Sequence, residues 1–389
     1  MNGLRQIFVV SALNFKGLRE RIWPSLVIVT GVGCVVAVLV SVLSLTVGIT
    51  RSYTVNLSPT RTIVLAMGTA TERGSSLTHQ AANFAIDLPD IRKTADGSPL
   101  ADGEVVASLP ADKKGSGLNA TIALRGLGPK GLLMHPNLHI VAGRMFRAGS
   151  AEAIVGTAAQ QQFSDVEVGD TVTLQHGRWK IVGAFKADGD IIEGQIIADA
   201  NTLMPAIGRK SYNSVIADLV SPDRFEAFKA ALTTNPSMQM TAERQSQYLA
   251  RTTQRFASLF NTVAYVIGGI MAVGAIFGTI NTLYTAVGAR SREIATLRAL
   301  GFGEVPVAVS VVLEAIFLSV VGAVGGSAAA WILFDGKYKV LGTSVFSLSI
   351  SPALVAFGIL WAVAIALVGA ALPSFRAARL PIVAALRAL

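Results

Sequence analysis

Two histidines, His135 and His139, have the spacing at which one helical turn presents two ligands to a metal ion. Pro136 lies between them in a loop-like stretch, and two histidines without further ligands rarely make a site. The sequence has no Gly-x-x-x-x-Gly-Lys-Ser/Thr phosphate loop, no Cys-x-x-Cys, no His-Glu-x-x-His and no nucleophile beside a base. We therefore expect no catalytic residue, no metal ion and no cofactor on this chain.

A different kind of chemistry is indicated by the charged stretch TAVGARSREIATLRALGFGE, residues 285–304, which lies between two long apolar runs. If this stretch is helical, Val287, Ile294 and Leu297 share one stripe and the charged residues surround it. A basic loop that only fixes membrane topology would need neither this stripe nor the abrupt stop at Leu300-Gly301, where the glycine suits a left-handed helix cap. The pattern predicts a short amphipathic helix that contacts another protein.

The elements that must position this helix are those of a membrane protein. Hydrophobic residues make up 52% of the 389 residues and charged residues only 15%, and the mean hydropathy is +0.54. A bilayer is spanned by about 20 apolar residues, and four runs are long enough: 22–50, 256–289, 305–334 and 340–375.

The third run is broken only by Glu314. Because a carboxylate inside a membrane is costly, we favour a structural role for Glu314, pairing with an arginine or reaching the interface, over a role in transport.

Basic residues predict the orientation in the membrane. The N-terminal segment, the loop after the second run and the tail together hold ten basic and three acidic residues, whereas segment 51–255 holds 21 basic and 19 acidic ones. The positive-inside rule then places both termini and the 286–304 loop in the cytoplasm and segment 51–255 outside. We expect a multi-pass protein of the bacterial inner membrane. Its basic character reflects this topology and not nucleic-acid binding.

The outer segment reads as a mixed α/β domain. Strands are predicted at 61–67, 119–127, 170–185 and 191–199, with a hairpin turn at His176-Gly177. A short helix is predicted at 223–235, with Phe225, Phe228 and Leu232 on one side, and the Gly- and Ser-rich stretch 68–118 is predicted to form loops between short elements.

A heptad-like seam precedes and enters the second apolar run. Leu249, Phe256, Leu259 and Val263 lie on it, and no proline or glycine occurs from 237 to 267. This pattern predicts a continuous helical rod, or stalk, that transmits displacement between the outer domain and the membrane. The alternative is a helix that only packs on the outer domain.

The predicted fold class is an α-helical membrane protein with four transmembrane helices and a large mixed α/β periplasmic domain between helices 1 and 2. The segments are, in order, a cytoplasmic amphipathic helix, transmembrane helix 1, the periplasmic domain, the stalk with transmembrane helix 2, a cytoplasmic coupling helix, transmembrane helix 3, a short periplasmic loop, transmembrane helix 4 and a cytoplasmic tail. Their boundaries are 1–22, 23–50, 51–243, 244–289, 290–304, 305–334, 335–349, 350–373 and 374–389.

The coupling stretch resembles a family signature. The segment RSREIATLRALG, Arg290 to Gly301, is similar to the hallmark Arg-x-Arg-Glu-Ile-Gly-x-x-Arg-Ala-Leu-Gly of MacB/FtsX-type permeases of ABC transporters, with Ala295 in place of a glycine. The tail PSFRAARLPIVAALR resembles the closing segment of that family, although Pro381-Ile382 replaces its usual Asp-Pro. Stretches of the outer domain such as HIVAGRMF and VEVGDTVTL resemble the MacB-like members.

The resemblance implies a mechanism called mechanotransmission. Two permease copies, identical or paralogous, would sit on a dimer of a separate ATPase subunit that binds ATP and Mg²⁺. The coupling helix would rest in a groove of that ATPase, and movement would pass through the stalk to the periplasmic domain, which works with a periplasmic adaptor in efflux. The residues implied in ATPase coupling are Arg290, Arg292, Glu293, Ile294, Leu297, Arg298 and Gly301.

Three other functions remain open at this stage. An FtsX-like, non-transporting regulator of cell-wall hydrolases shares the architecture, although its outer domain is much smaller. A lipoprotein-releasing permease of the LolC/LolE kind also shares it. A membrane-anchored sensor or adhesin would have no ATPase partner and would leave the cytoplasmic helix without a purpose.

Overall fold

The computed structural model describes residues 3–16, 22–234 and 238–380. The chain divides into two compact units, each discontinuous in sequence. The helical unit comprises Met1–Val47, Ser258–Asp335 and Ser349–Leu389, and the sheet unit comprises Gly48–Ala257 and Gly336–Leu348. The predicted fold class, membrane helices with a mixed α/β domain inserted after the first of them, is confirmed.

The helices, numbered in chain order, are α1 Gly3–Lys16, α2 Ile22–Thr54, α3 His79–Ile86, α4 Pro129–Leu133, α5 Thr157–Gln162, α6 Ala200–Ala206, α7 Phe225–Thr233, α8 Gln245–Ala289, α9 Ser291–Ala299, α10 Glu304–Phe334 and α11 Pro352–Ala378. Four of them, α2, α8, α10 and α11, are long and apolar enough to cross a membrane. Helices are required there because hydrocarbon offers the backbone no hydrogen-bond partner other than the helix itself.

Small residues let the membrane helices approach closely. A Cβ atom added to Gly33 of α2 would lie 2.9 Å from the carbonyl oxygen of Gly322 of α10, and one added to Gly326 would lie 2.1 Å from that of Gly33. These distances leave no room for any side chain. Gly322 and Gly326 of the third apolar run therefore serve helix packing, which is the usual role of such residues in membranes.

The strands are β1 Arg61–Ala66, β2 Ala101–Asp112, β3 Asn119–Leu127, β4 His139–Gly143, β5 Glu152–Gly156, β6 Thr171–Leu174, β7 Gly177–Lys186, β8 Gln195–Asp199, β9 Ser214–Asp218, β10 Met240–Arg244, β11 Tyr338–Leu341 and β12 Ser344–Ser347. The first ten form one sheet in the order β10-β1-β9-β2-β3-β8-β5-β7-β4, with β6 paired to β7. Two pairs in it are parallel, β3 with β8 and β5 with β7.

Strand β2 joins the two halves of this sheet. Its first four residues pair with β9, and residues 105–112 pair with β3. One hydrophobic core covers the β1–β9–β10 half together with α3 and α7, and Phe228 and Leu232 lie in it as predicted. A second core covers the half with β3, β5, β7 and β8 together with α5 and α6. The sheet therefore has two halves, each with its own core, that share one long strand.

The sequence predictions for this unit were partly wrong. Stretch 68–118, assigned to loops, contains α3 and the 12-residue β2. Residues 191–194 form a 3₁₀ helix, and only Gln195–Asp199 are a strand. The stalk was predicted from residue 244, and the helix begins at Gln245, directly after Met240–Arg244, which pair with β1. Pairing with β3 and with β9, which is distant in sequence, makes β2 a strand. The predicted hairpin is confirmed, and its turn residues are Gln175 and His176.

The predicted short loop 335–349 is also more ordered than expected. Strands β11 and β12 form a hairpin that belongs to the sheet unit. Val345 is buried in the second core of that unit, and the hydroxyl of Tyr338 donates to Oε1 of Glu193 at 3.1 Å. Burial and the Glu193 carboxylate raise the pKa of Tyr338 to about 12, so the phenol stays protonated and keeps donating. The hairpin is thus attached to the sheet by a core contact and a hydrogen bond.

A buried cluster of charges lies where β2 and β3 meet. Nη1 and Nη2 of Arg125 lie 2.9 and 3.0 Å from the carboxylate oxygens of Glu72, and Nη1 also contacts Glu104. Nε of Arg125 donates to Gln195 at 3.1 Å. One guanidinium thus serves two buried carboxylates. Burial, only partly offset by Arg125, raises the pKa of Glu104 to about 7, because the charge of Glu72 also opposes ionisation of its neighbour.

This cluster makes the stability of the sheet unit depend on pH. Folded Glu104 keeps its proton up to about pH 7, whereas the unfolded side chain loses it near its ordinary value. Stability therefore falls as pH rises between these two values, by about 3 kcal/mol. Replacing Glu104 with Gln should remove this dependence and raise stability above pH 7. This change in stability with pH is measured by hydrogen exchange of residues 101–127 in the full-length protein, corrected for intrinsic rates.

The matched control for this experiment is Glu167→Gln, since Glu167 is exposed and pairs with Lys114 on the surface. It should leave the pH dependence unchanged. Loss of hydrogen-exchange protection in the Glu104→Gln variant at every pH would show instead that Arg125 requires an ionised Glu104. That result would contradict the protonated state assigned to Glu104.

Candidate coupling site

The predicted coupling helix is present as α9, between the two membrane helices α8 and α10. Arg290 is the only residue that separates α8 from α9. Its N–H donates to the carbonyl oxygens of Ala286 and Val287 at 3.2 Å, and its own carbonyl oxygen accepts from the N–H of Ile294 at 2.9 Å. The backbone of α8 therefore passes into α9 through one hydrogen-bonded bend and no flexible linker.

The C-terminal end of α9 is closed by a glycine cap, as predicted. Gly301 has a φ angle of +94°, which glycine adopts without a steric penalty. Its N–H donates to the carbonyl oxygen of Arg298 at 3.0 Å, and the N–H of Phe302 donates to that of Leu297 at 3.2 Å. This pair of bonds is the Schellman motif. Glu293 in the first turn and Arg298 in the last also suit the helix dipole.

A buried ion pair ties this junction to α10. Nη1 of Arg290 lies 2.9 Å from Oε2 of Glu314, and Nη2 lies 3.5 Å from Oε1. Only 5% of Arg290 and 6% of Glu314 are exposed. The prediction that Glu314 pairs with an arginine is confirmed. Arg290 therefore makes a buried contact within the helical unit and does not lie on its surface.

The inner side of α9 continues this attachment. Ile294 and Ala295 are buried, and Ile294 lies in the same hydrophobic cluster as Val287 and Val307. Leu297 is half-buried. The apolar stripe that was expected to contact a partner protein therefore packs mainly on neighbouring helices of the same unit, because α9 is short and lies between two membrane helices in the chain.

Arg298 is held by two acceptors at the C-terminal end of α9. Nη1 donates to the carbonyl oxygen of Leu380 at 2.7 Å, and Nη2 lies 2.8 Å from Oε1 of Glu304. Leu380 follows α11 and Glu304 begins α10. A single side chain therefore connects α9 to the ends of two membrane helices.

The outward side of α9 consists of five exposed residues: Arg292, Glu293, Thr296, Ala299 and Leu300. Leu300 is 73% exposed, which is unusual for a leucine that ends a helix on a charged surface. We call these five residues the outer face. Of the seven predicted coupling residues, only Arg292 and Glu293 belong to it.

Sequence reasoning missed four residues of this site. Thr296, Ala299 and Leu300 lie on the outer face, and Glu304 holds Arg298. Leu300 could have been found, since it is one turn after Thr296 on the same side of a helix. Nothing local to Glu304 indicates its pairing.

The stalk residues lie on one continuous helix, α8, as the sequence predicted from residue 249 onward. Leu249 is half-buried, whereas Phe256, Leu259 and Val263 are exposed. At about 1.5 Å per residue, the 45 residues of α8 extend about 67 Å.

The two histidines lie in different surroundings. Burial lowers the pKa of His135 to about 3, so it is neutral, and its Nδ1 lies 3.0 Å from Nδ2 of Asn56. His139 is exposed at the start of β4. Within 3–16, 22–234 and 238–380, no group of three metal-binding side chains occurs.

Comparison with known proteins gives two family matches. Residues 25–235 match the model of the MacB-like periplasmic core domain, and residues 265–382 match that of the FtsX-like permease C-terminal domain. The first alone covers more than half of the chain. No curated protein sequence matches significantly.

Two solved structures are similar to the chain. The periplasmic region of MacB from Actinobacillus actinomycetemcomitans is 12% identical, with a TM-score of 0.38, over 51% of this chain and 94% of that one. The extracellular domain of the noncanonic ABC-type transporter YknZ from Gram-positive bacteria is 16% identical, with a TM-score of 0.36, over 47% of this chain and 99% of that one.

The buried ion pair predicts a strongly non-additive pair of mutations. Arg290→Met or Glu314→Leu alone leaves one buried charge without its partner and should cost roughly 3–5 kcal/mol. The double variant replaces both charges with apolar side chains and should recover most of this loss. The measurement is the apparent melting temperature of the full-length protein in detergent. Additive losses would mean that the two residues do not stabilise each other.

The cap predicts a local effect at Gly301. Replacing it with Ala forces a side chain into the left-handed region and should cost about 1–2 kcal/mol, which loosens the end of α9. Faster hydrogen exchange of residues 296–302 reports this change. Gly303 has a φ of −72°, so Gly303→Ala is the control. Equal effects of the two substitutions would contradict the role assigned to the cap.

Proposed function

Since the chain belongs to the family of MacB/FtsX-type permeases, we propose that it is the permease subunit of an ABC transporter of the bacterial inner membrane. A separate ATPase subunit hydrolyses ATP, with Mg²⁺ bound there, and the permease converts this into motion of its sheet unit. The sheet unit lies in the periplasm, and its motion drives export or extraction of a substrate on that side of the membrane.

The observation that carries this proposal is the way α9 is built into the helical unit. The helix has a closed cap, a one-residue junction to α8 and a buried ion pair to α10. A load applied to the outer face therefore reaches two membrane helices without being absorbed by a flexible loop. A loop that only sets topology would need none of these features.

The load would reach the periplasm along α8. This helix begins at Gln245, directly after β10 of the sheet unit, and ends at the Arg290 junction. No proline interrupts it. Because proline is the usual cause of a sharp helix kink, its absence favours a rod that moves as one piece.

The proposed mechanism also indicates the protein partners of this chain. The ATPase subunits, as a dimer, would contact Arg292, Glu293, Thr296, Ala299 and Leu300. A second permease copy would pair with this one, and the apolar side chains exposed on α8, such as Leu259 and Val263, support a helix–helix contact or a lipid contact there. A periplasmic adaptor would join the sheet unit.

The test is co-purification from native membranes, followed by mass spectrometry and an ATPase assay. The variant combines Arg292→Glu with Leu300→Asp, because both side chains are exposed on the outer face. An ATPase subunit should accompany the wild-type protein and be lost with the variant. Reversal of an exposed charge together with loss of an exposed leucine should weaken the complex by roughly a hundredfold or more.

The matched control carries the same two substitutions elsewhere, Arg178→Glu with Leu118→Asp, at exposed positions of the sheet unit. It should keep the ATPase. If no ATPase accompanies either protein, α9 only sets topology and a sensor or adhesin function takes precedence. A co-eluting cell-wall hydrolase or lipoprotein would instead indicate the FtsX-like or the LolC/LolE-like alternative.

A further inference from the structure

The sheet unit contains a cavity of about 490 Å³, within the range in which proteins bind small molecules. Its walls are residues 49–57 at the end of α2, residues 245–256 at the start of α8, the β11–β12 hairpin and the inner side of β1 and β2. All of these residues belong to the sheet unit. None of them takes part in the coupling site.

The walls of the cavity are mainly apolar. Ile49 and Tyr53 come from α2, Leu249 and Phe256 from α8, and Leu341 and Phe346 from the hairpin. Aliphatic and aromatic side chains on three sides favour the burial of a hydrocarbon chain, since each apolar atom removed from water is stabilised. A sugar or another fully polar ligand would leave these walls without a suitable partner.

The floor of the cavity is charged, and most of its charges are already paired. Glu72 and Glu104 share Arg125. Asp190 accepts from the N–H of Ile192 at 3.2 Å. The carboxylates thus have their donors, and a cationic ligand would find no unused acceptor among them.

Arg61 is different. Only 8% of it is exposed, and no carboxylate lies within 4 Å of it among the residues that the structure describes. One amino group donates to the carbonyl oxygen of Asn56 at 3.0 Å, but its buried Nε–H has no acceptor in the described part of the chain. Oε1 of Gln245, also on the cavity wall, likewise lacks a donor there. A buried guanidinium with an unused donor is costly unless a ligand completes it.

We propose that this cavity binds one aliphatic chain of an anionic amphiphile. The chain lies between α2, α8 and the hairpin, and the anionic head accepts from the guanidinium of Arg61. The ligand comes either from free fatty acids or from anionic lipids of the bilayer, which share this chemistry. This binding is independent of any ATPase, so its test stands apart from that of the coupling site.

The test is photolabelling of the full-length protein in nanodiscs, with crosslinked peptides identified by mass spectrometry. The probes are a diazirine palmitate, the corresponding diazirine hexadecanol and a diazirine phosphatidylglycerol. Palmitate should label residues 49–57 and 245–256 roughly tenfold more than the alcohol does, because a charged hydrogen bond to Arg61 distinguishes them. Labelling of these peptides by phosphatidylglycerol identifies the bilayer as the source, and labelling by palmitate alone identifies free fatty acid.

A pair of matched variants separates the cavity from general contact with lipid. Thr252 is half-buried on the cavity wall and Thr262 is exposed further along α8. Thr252→Phe fills the cavity and should abolish labelling of both peptides, whereas Thr262→Phe should preserve it. Labelling confined to other parts of the membrane helices, or unchanged by Thr252→Phe, would overturn the site. Equal labelling by palmitate and by hexadecanol would contradict the anionic head group. This comparison uses the wild-type protein and therefore does not depend on the folding of a variant.

Discussion

The helical unit depends on the ion pair between Arg290 and Glu314. A carboxylate in the middle of an apolar helix, or an arginine buried where one helix passes into the next, would each destabilise the fold strongly if alone. Together they stabilise one arrangement, in which a particular turn of α10 meets the α8–α9 junction. A slide of α10 by one turn would separate the two charges. The direction in which α9 presents its outer face follows from this registration, since Arg290 is also the last link of its backbone to α8.

The sheet unit also contains buried charges, and it stabilises them with one arginine between two carboxylates. Arg125 lies between Glu72 and Glu104 at the point where β2 changes partner from β9 to β3. Burial makes ionisation of Glu104 unfavourable, and only an arginine that bridges both acids keeps the cluster intact. The two halves of the sheet are therefore joined by a shared strand and by a shared cation. The same cluster provides the floor of the cavity, where Arg61 has no carboxylate within 4 Å among the described residues and Asp218, Glu104 and Asp190 act on its charge from farther away.

Much of this could be predicted from the sequence where the signal is local. The four spans follow from uninterrupted apolar runs, and the end of α9 follows from Gly301, whose backbone conformation few other residues adopt. Strand β2 was missed because ADGEVVASLPAD holds a glycine, a proline and three acids, and only pairing with β9 and β3 makes it a strand. The start of α8 was predicted to within one residue, and β10, which pairs with the distant β1, directly precedes it. The inward position of Arg290 was not visible either, since periodicity cannot tell which of several arginines meets a distant Glu314.

The position of the cavity connects it to the route by which force would travel. Three of its walls are the start of α8, the end of α2 and the hairpin between α10 and α11, and each of these segments continues in the chain into a membrane helix. If these segments move relative to the sheet, the volume between them changes. A ligand that fills the cavity then has different affinities for the two arrangements, and by linkage it must shift their equilibrium by the same free energy. An amphiphile at Arg61 would thus be either the molecule that is moved or the signal that permits movement. In both cases the apolar walls and the guanidinium of Arg61 decide which molecules bind.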